Sequence, residues 1–286
     1  MQISFSSKGM GILTVYKKSR LALVGLAIVV GLVVIGLFAP YLAPYSVREQ
    51  DLPHRLSKPS WKHLFGRDEF GRDILSRVIY GARVSLLVGL TVVAISAALG
   101  ILLGSIAGYY GGAVDEIIMR MIDILLAFPG ILLAIALAAL LGPGLNNVIV
   151  ALSMISWVGY ARLVRGEVLK VREMPYVEAA RVIGASSGRI IFRHILPNIM
   201  APVIVQATLG IAGVIIAEAS LSFLGLGVQP PTPSWGNMLN DGMLHMMDAP
   251  HLTIFPGLAI MVVVLGFNFL GDGLRDALDP RMKTLW

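Results

Sequence analysis

The stretch Gly184-Ala185-Ser186-Ser187-Gly188 fits G-x-S-x-G, the spacing that raises a serine nucleophile on a strained strand-to-helix turn. Here the serine lies in a polar, basic segment with no strand-turn-helix pattern, and no apolar span would set a histidine beside it. Ser186 is therefore not expected to act as a nucleophile. Met243, His245, Met246, Met247 and His251 form a soft-ligand cluster of the kind that holds copper or nickel. Their setting reads instead as an ordinary external loop leaning on a membrane surface. The five histidines make no His-Glu-x-x-His pair, so a zinc hydrolase site of that type is not present. No lysine follows a glycine, and the Walker phosphate loop needs that lysine to neutralise phosphate at a helix N-terminus. The absence of cysteine excludes a disulfide scaffold, a Cys-rich zinc module and an iron-sulfur protein. The chain reads as no enzyme by itself, with no catalytic residue, metal or cofactor assigned.

These groups hang on long apolar runs. Of 286 residues, 56% are hydrophobic and 14% charged, against roughly 45 to 50% and about 25% in soluble domains. The mean hydropathy of +0.80 excludes an ordinary soluble enzyme. A net charge of +6 would suit nucleic acid if it were clustered, but the charges punctuate the apolar runs. Between Arg20 and Arg48 lie 27 uncharged residues. Leu21 to Phe38 includes 13 Leu, Ile, Val or Phe, worth about 4 to 8 kcal/mol of insertion free energy. That run is too long for the h-region of a cleaved signal peptide and predicts an uncleaved anchor.

With about 20 residues needed per crossing, the runs predict six helices near 21–40, 84–108, 117–141, 148–162, 199–217 and 253–271. The break at Gly142-Pro143-Gly144 separates the third from the fourth. Fifteen basic residues fall on the side of the termini and eight on the other, so the positive-inside rule puts both termini in the cytoplasm. The expected organisation is a cytoplasmic segment 1–20, a first helix and external loop 21–80, a five-helix core 81–275 with a cytoplasmic loop 163–197, and a tail 276–286.

Ionisable groups in hydrocarbon mark proton relays and ion sites, and the predicted span centres carry none. Arg120 and Asp123 are expected to pair with each other near the interface, and Glu218 and Asp272 to close their spans interfacially. Ser96, Gly100, Gly104 and Gly108 form a small-xxx-small stripe that admits another helix, of this chain or of another subunit. Pro129-Gly130 predicts a kink in the third span. Residues 220–240 lack charge but contain Pro230, Pro231 and Pro233, and read as packed on the outer membrane face. Gly225 and Gly227, within Leu224 to Val228, are candidates for an external gate.

Between Arg162 and Asn198, Pro175 suits a first helical position and Gly184 a C-terminal cap, which bracket a short helix to Ile183. Ser186 or Ser187 is expected to cap a second helix ending at Pro197. Ala179, Ala180 and Gly184 give the first helix a face of little bulk, and Glu178 and Arg181 give it charge, as a surface made to fit a cleft on another protein would have.

Glu178-Ala179-Ala180-x-x-x-Gly184, followed by His194-Ile195-Leu196-Pro197, resembles the EAA loop of binding-protein-dependent ABC importers, which commonly has Ile where this chain has His194. Phe65 to Asp73 running into Gly81-Ala-Arg-Val-Ser85, Ser222 to Gly236, and Leu270 to Arg281 resemble the second permease subunit of the dipeptide, oligopeptide and nickel importers. The resemblance implies an all-α polytopic protein of the type I ABC importer permease fold in a bacterial or archaeal inner membrane. It also implies a heterodimer with a homologous permease, two cytoplasmic ABC ATPase subunits and an extracytoplasmic substrate-binding protein, which the external loops Tyr45 to Arg83 and Ser220 to His251 would receive. Glu178, Ala179, Ala180, Arg181, Gly184, Leu196 and Pro197 would then couple to the ATPases, and the solute would be a peptide or a related small solute, nickel included. The competing readings are an ion-coupled secondary transporter and a non-transporting membrane scaffold.

Overall fold

The computed structural model describes residues 19–278. The basic residues Lys8, Lys17 and Lys18 and the tail residues Arg281 and Lys283 lie outside the described residues. The chain folds as α1 Arg20–Leu37, the short α2 Ala39–Leu42, α3 Ile74–Tyr110, α4 Gly112–Leu126, α5 Gly130–Leu141, α6 Leu145–Val171 and α7 Pro175–Val182. There follow α8 Ser187–Phe223, α9 Trp235–Met243 and α10 His251–Leu278. Among the described residues there is no strand, only an isolated antiparallel bridge between Arg67 and Asp73.

Five helices (α1, α3, α6, α8 and α10) are long and apolar enough to cross a membrane. The third predicted span is a broken pair, with α4 and α5 meeting at 86° rather than forming one kinked helix. Pro129 has no N–H to donate and disfavours helical backbone at Phe128. α4 therefore stops at Leu126, and Pro129 sits in extended backbone ahead of α5.

Two helices reach further than their apolar runs. α3 begins ten residues before the predicted 84, because Asp73 caps it: one carboxylate oxygen accepts from both the backbone N–H and the hydroxyl of Ser76, each at 2.8 Å. Such a cap contributes about 1 kcal/mol. The second helix of the 163–197 loop does not end at Pro197. It runs through a π-helical stretch, Ile190–Ile195, into the fifth span. The wider turn lets Leu196 donate to Ile191 O, and the Asn198 side-chain amide donates to the His194 carbonyl at 2.6 Å.

The core is sealed by close backbone approach. A Cβ at Gly100 would lie 2.3 Å from Tyr160 Cβ, one at Gly104 2.5 Å from Ala161 O and one at Gly108 2.8 Å from Val168 Cβ. Ser96 is fully buried on the same face. The stripe thus packs on α6 of this chain. Gly25 of α1 fits as tightly against α10, where a Cβ would lie 2.6 Å from the Leu270 nitrogen.

One polar expectation fails. Asp123 pairs with Arg162 of α6 rather than with Arg120. Glu218 is 1% exposed within α8 and accepts from the Ser222 hydroxyl at 2.7 Å, because α9 and the loop before it cover the end of α8.

Candidate functional site: a docking helix and the outer loops

At the end of the bundle that carries residues 172–186, α7 lies across α6 and α8. Val177 and Ala180, buried at 0% and 5% exposure, pack with Val164, Val168, Ile190 and Ile195. Burying a valine contributes about 1.5 to 3 kcal/mol, so this face fixes the helix to the bundle. Its end is set by backbone hydrogen bonds from Ala185 N–H to Ala180 O and from Gly184 N–H to Arg181 O, both at 3.0 Å. Those two bonds are the Schellman pattern, which needs left-handed backbone at Gly184, observed with φ +80°.

Glu178, Ala179, Arg181 and Gly184 lie on the exposed side. Ala180 does not: three residues from Val177, it faces the bundle and has a packing role. Leu196 is half-buried in the same apolar cluster, while Pro197 is exposed. Val182 and Ile183 belong to no motif in the sequence, yet they are 81% and 83% exposed. Two bare aliphatic side chains beside Glu178 and Arg181 make a surface that gains by being covered. A Val-Ile pair before a capping glycine was the available signal, but periodicity alone assigns such a pair to a core.

Charged contacts brace this end. Arg165 of α6 forms a two-pronged pair with Asp115 of α4, at 2.5 and 2.6 Å. Arg172 donates to Gly108 O at 2.8 Å. Ser186 accepts from Arg189 N–H as a helix cap, the part it plays in place of a nucleophile.

At the opposite end, the segment after α1 folds back on itself. Asp51 pairs with Arg67 and His54, and this pairing, that of Arg67 foremost, holds its carboxyl below the usual range. His63 contacts Asp73 at 2.9 Å, and Tyr45 N–H donates to Ser76 Oγ at 3.1 Å, joining the loop to the start of α3. Trp235 of α9 lies over Gly81, where no side chain would fit beneath its ring.

Gly225 adopts φ +78° with open space around its Cβ position, whereas a Cβ at Gly227 would fall 1.9 Å from Ser222 Oγ. The two gate candidates therefore differ: Gly227 is a packing position and Gly225 a turn. In the Met/His cluster, Met247 is 94% exposed, and His245 stands 3.8 Å from Glu69. Among the described residues no group of three His, Cys, Asp or Glu is arranged to hold a metal.

Residues 100–284 match the family described as binding-protein-dependent transport system inner membrane component. Residues 11–59 match the N-terminal transmembrane domain of oligopeptide transport permease C. A dipeptide transport system permease protein of Alkalihalophilus pseudofirmus is 52% identical over 268 residues, covering 94% of this chain and 88% of that one. A glutathione transport system permease protein of Escherichia coli is 50% identical over 269 residues, with 94% and 89% covered. The inward-facing MetNI methionine ABC transporter superposes with a TM-score of 0.53 at 19% identity, over 72% of this chain and 96% of that one, a likeness of fold. The chain belongs to the binding-protein-dependent transport system inner membrane components, as a multi-pass ABC importer permease related to oligopeptide permease C.

Proposed function

We propose that this chain forms half of the transmembrane pathway of an ATP-driven importer of short peptides, and that ATPase subunits drive it through α7. The observation that carries the coupling is the two-faced character of that helix. Val177 and Ala180 bury one face against α6 and α8, while Val182 and Ile183 stand bare on the other. A partner gripping the exposed face moves two membrane helices with it. The names of the relatives at 50 to 52% identity support peptides over nickel.

In this reading a homologous permease completes the pathway, two ATPase subunits take the α7 surfaces, and an extracytoplasmic binding protein delivers solute to the outer loops. Both termini are cytoplasmic, and Gly225 marks a turn in the outer gate. Glu178→Arg reverses a charge on the docking face and leaves the buried face intact. It should insert normally and abolish peptide uptake in proteoliposomes containing the assembled importer. Full uptake by that variant contradicts the coupling assignment.

A further inference from the structure

A cavity of about 420 Å³ opens between the external loop, the end of α8 and α9, within the roughly 300 to 1,000 Å³ range of small-molecule sites. Its walls include Glu69, Arg77, Gln229, Asn237, Asn240 and Asp241. Elsewhere in the protein, ion pairs close to contact, Lys170 to Glu167 at 2.7 Å and Arg165 to Asp115 at 2.5 Å, and on the cavity wall Arg72 Nε closes on Asp68 at 2.6 Å. The pairs made by Asp241 and Glu69 are longer. Asp241 is 3.8 Å from Arg77 and 3.9 Å from Arg72, and Glu69 is 3.8 Å from His245. Among the described residues no side-chain hydrogen bond satisfies Glu69 or Asp241. Arg77, 4% exposed, has neither Nε nor Nη1 hydrogen-bonded, its nearest carboxylate oxygen being on Asp68 at 3.5 Å.

The three amides all donate to backbone carbonyls. Gln229 donates to Gly225 O and Gly227 O, at 3.1 and 3.0 Å, Asn240 to Phe223 O at 2.8 Å and Asn237 to Val228 O. Gln229 thus uses both amide N–H groups on backbone, and Asn237 and Asn240 one each. The cavity is thus walled by two carboxylates, three amide side chains and the Arg77 guanidinium, whose Nη2 stands 3.8 Å from Asp241. Glu69 and Asp241 are half-buried, and neither is closed off by a short ion pair. A ligand bearing both charges meets both signs across this cavity.

We propose that this cavity binds the charged ends of a short zwitterionic peptide at the outer mouth of the permease, with the ammonium between Glu69 and Asp241 and the carboxylate on Arg77. The assignment rests on the peptide-importer reading and adds a contact made by the permease itself.

Saturation-transfer NMR on the assembled importer in nanodiscs, without binding protein, tests it with L-alanyl-L-alanine, its N-acetyl derivative and its C-terminal amide. The free dipeptide should show transfer, and each blocked form should bind roughly tenfold or more weakly, the loss of one charge-assisted contact. Asp241→Asn should weaken the free dipeptide to the same degree. Glu69→Gln, which breaks no contact between α3 and α9, should do likewise. No transfer to the free dipeptide, equal transfer to all three probes, or unaltered binding in Glu69→Gln overturns the site. Uptake by proteoliposomes supplied with the binding protein separates the two assignments: an importer that carries dipeptides without this binding loses only the site, and one that carries no peptide loses the reading beneath it.

Discussion

The indole N–H of Trp235 donates to the backbone carbonyl of Val78 at 3.0 Å, a contact 157 residues apart in sequence that clamps α9 onto the first turns of α3. With Trp235 only 2% exposed and Gly81 beneath its ring, the clamp brings Asp241 to Arg72 and Arg77. Trp235→Phe keeps most of the packing and loses the hydrogen bond, for about 1 kcal/mol. Trp235→Ala also opens a cavity, for about 3 to 5 kcal/mol. Thermal unfolding in detergent should rank the two in that order.

The glycine stripe makes a sharper packing prediction. Gly104→Ala forces its methyl against Ala161 O, where the available distance is 2.5 Å, and should cost on the order of 1 to 3 kcal/mol. Gly31→Ala on α1 meets nothing within 4 Å and should be neutral or slightly stabilising, by the helix preference for alanine. Equal melting temperatures for the two variants would contradict the α3–α6 contact.

Orientation in the membrane is testable because the chain has no cysteine. Trp61, 97% exposed in the loop between α2 and α3, and Gly188, exposed at the start of α8, lie at opposite ends of the bundle. A membrane-impermeant maleimide should label Trp61→Cys in intact cells and label Gly188→Cys only after permeabilisation. The reverse pattern inverts the topology.

Dipeptide binding at the outer cavity should depend on pH. Burial raises the carboxyl of Glu69, reinforced by Asp241 and Asp68 and opposed by Arg72 and His245. Burial likewise raises Asp241, against the pull of Arg77 and Arg72, with Asp68 adding to the rise. An ammonium prefers both groups ionised, so affinity should increase as pH rises through these elevated values and fall as the groups protonate below them. The same shifts mean the folded protein holds protons more tightly than the unfolded chain at these two sites. Their contribution to stability is present below the ordinary carboxylate range and lost as pH rises through the folded values. Titrating the NMR response from acid to neutral pH checks the first sign. A response that weakens with rising pH contradicts it.

Much of this architecture was legible in the residues. The apolar runs located five crossing helices, and Pro175 with Gly184 bracketed α7 to within one residue. Hydropathy could not see beyond the hydrocarbon: Asp73 extends α3 outward through a cap that carries no apolar signal, and a π-helical stretch carries α8 past Pro197. Pro129 marked a discontinuity, but its 86° size depends on what α4 and α5 pack against. The burial of Glu218 is produced by α9, an element more than ten residues further on, which no local pattern shows. Likewise, the outer cavity joins residues near 70 to residues near 240 through tertiary contact, and no local spacing announces it.

The most direct test of coupling through α7 uses Ile183→Cys, at an 83% exposed position that contributes nothing to the buried face. With the importer assembled from this chain, its partner permease and ATPases, a short cysteine-reactive photo-cross-linker at position 183 should capture an ATPase subunit. Ile183→Asp should leave melting within about 0.5 kcal/mol of the parent while abolishing peptide-stimulated ATP hydrolysis. An importer that hydrolyses ATP and carries peptide normally with aspartate at 183, and that yields no ATPase cross-link from the cysteine, contradicts the docking of ATPases on this helix.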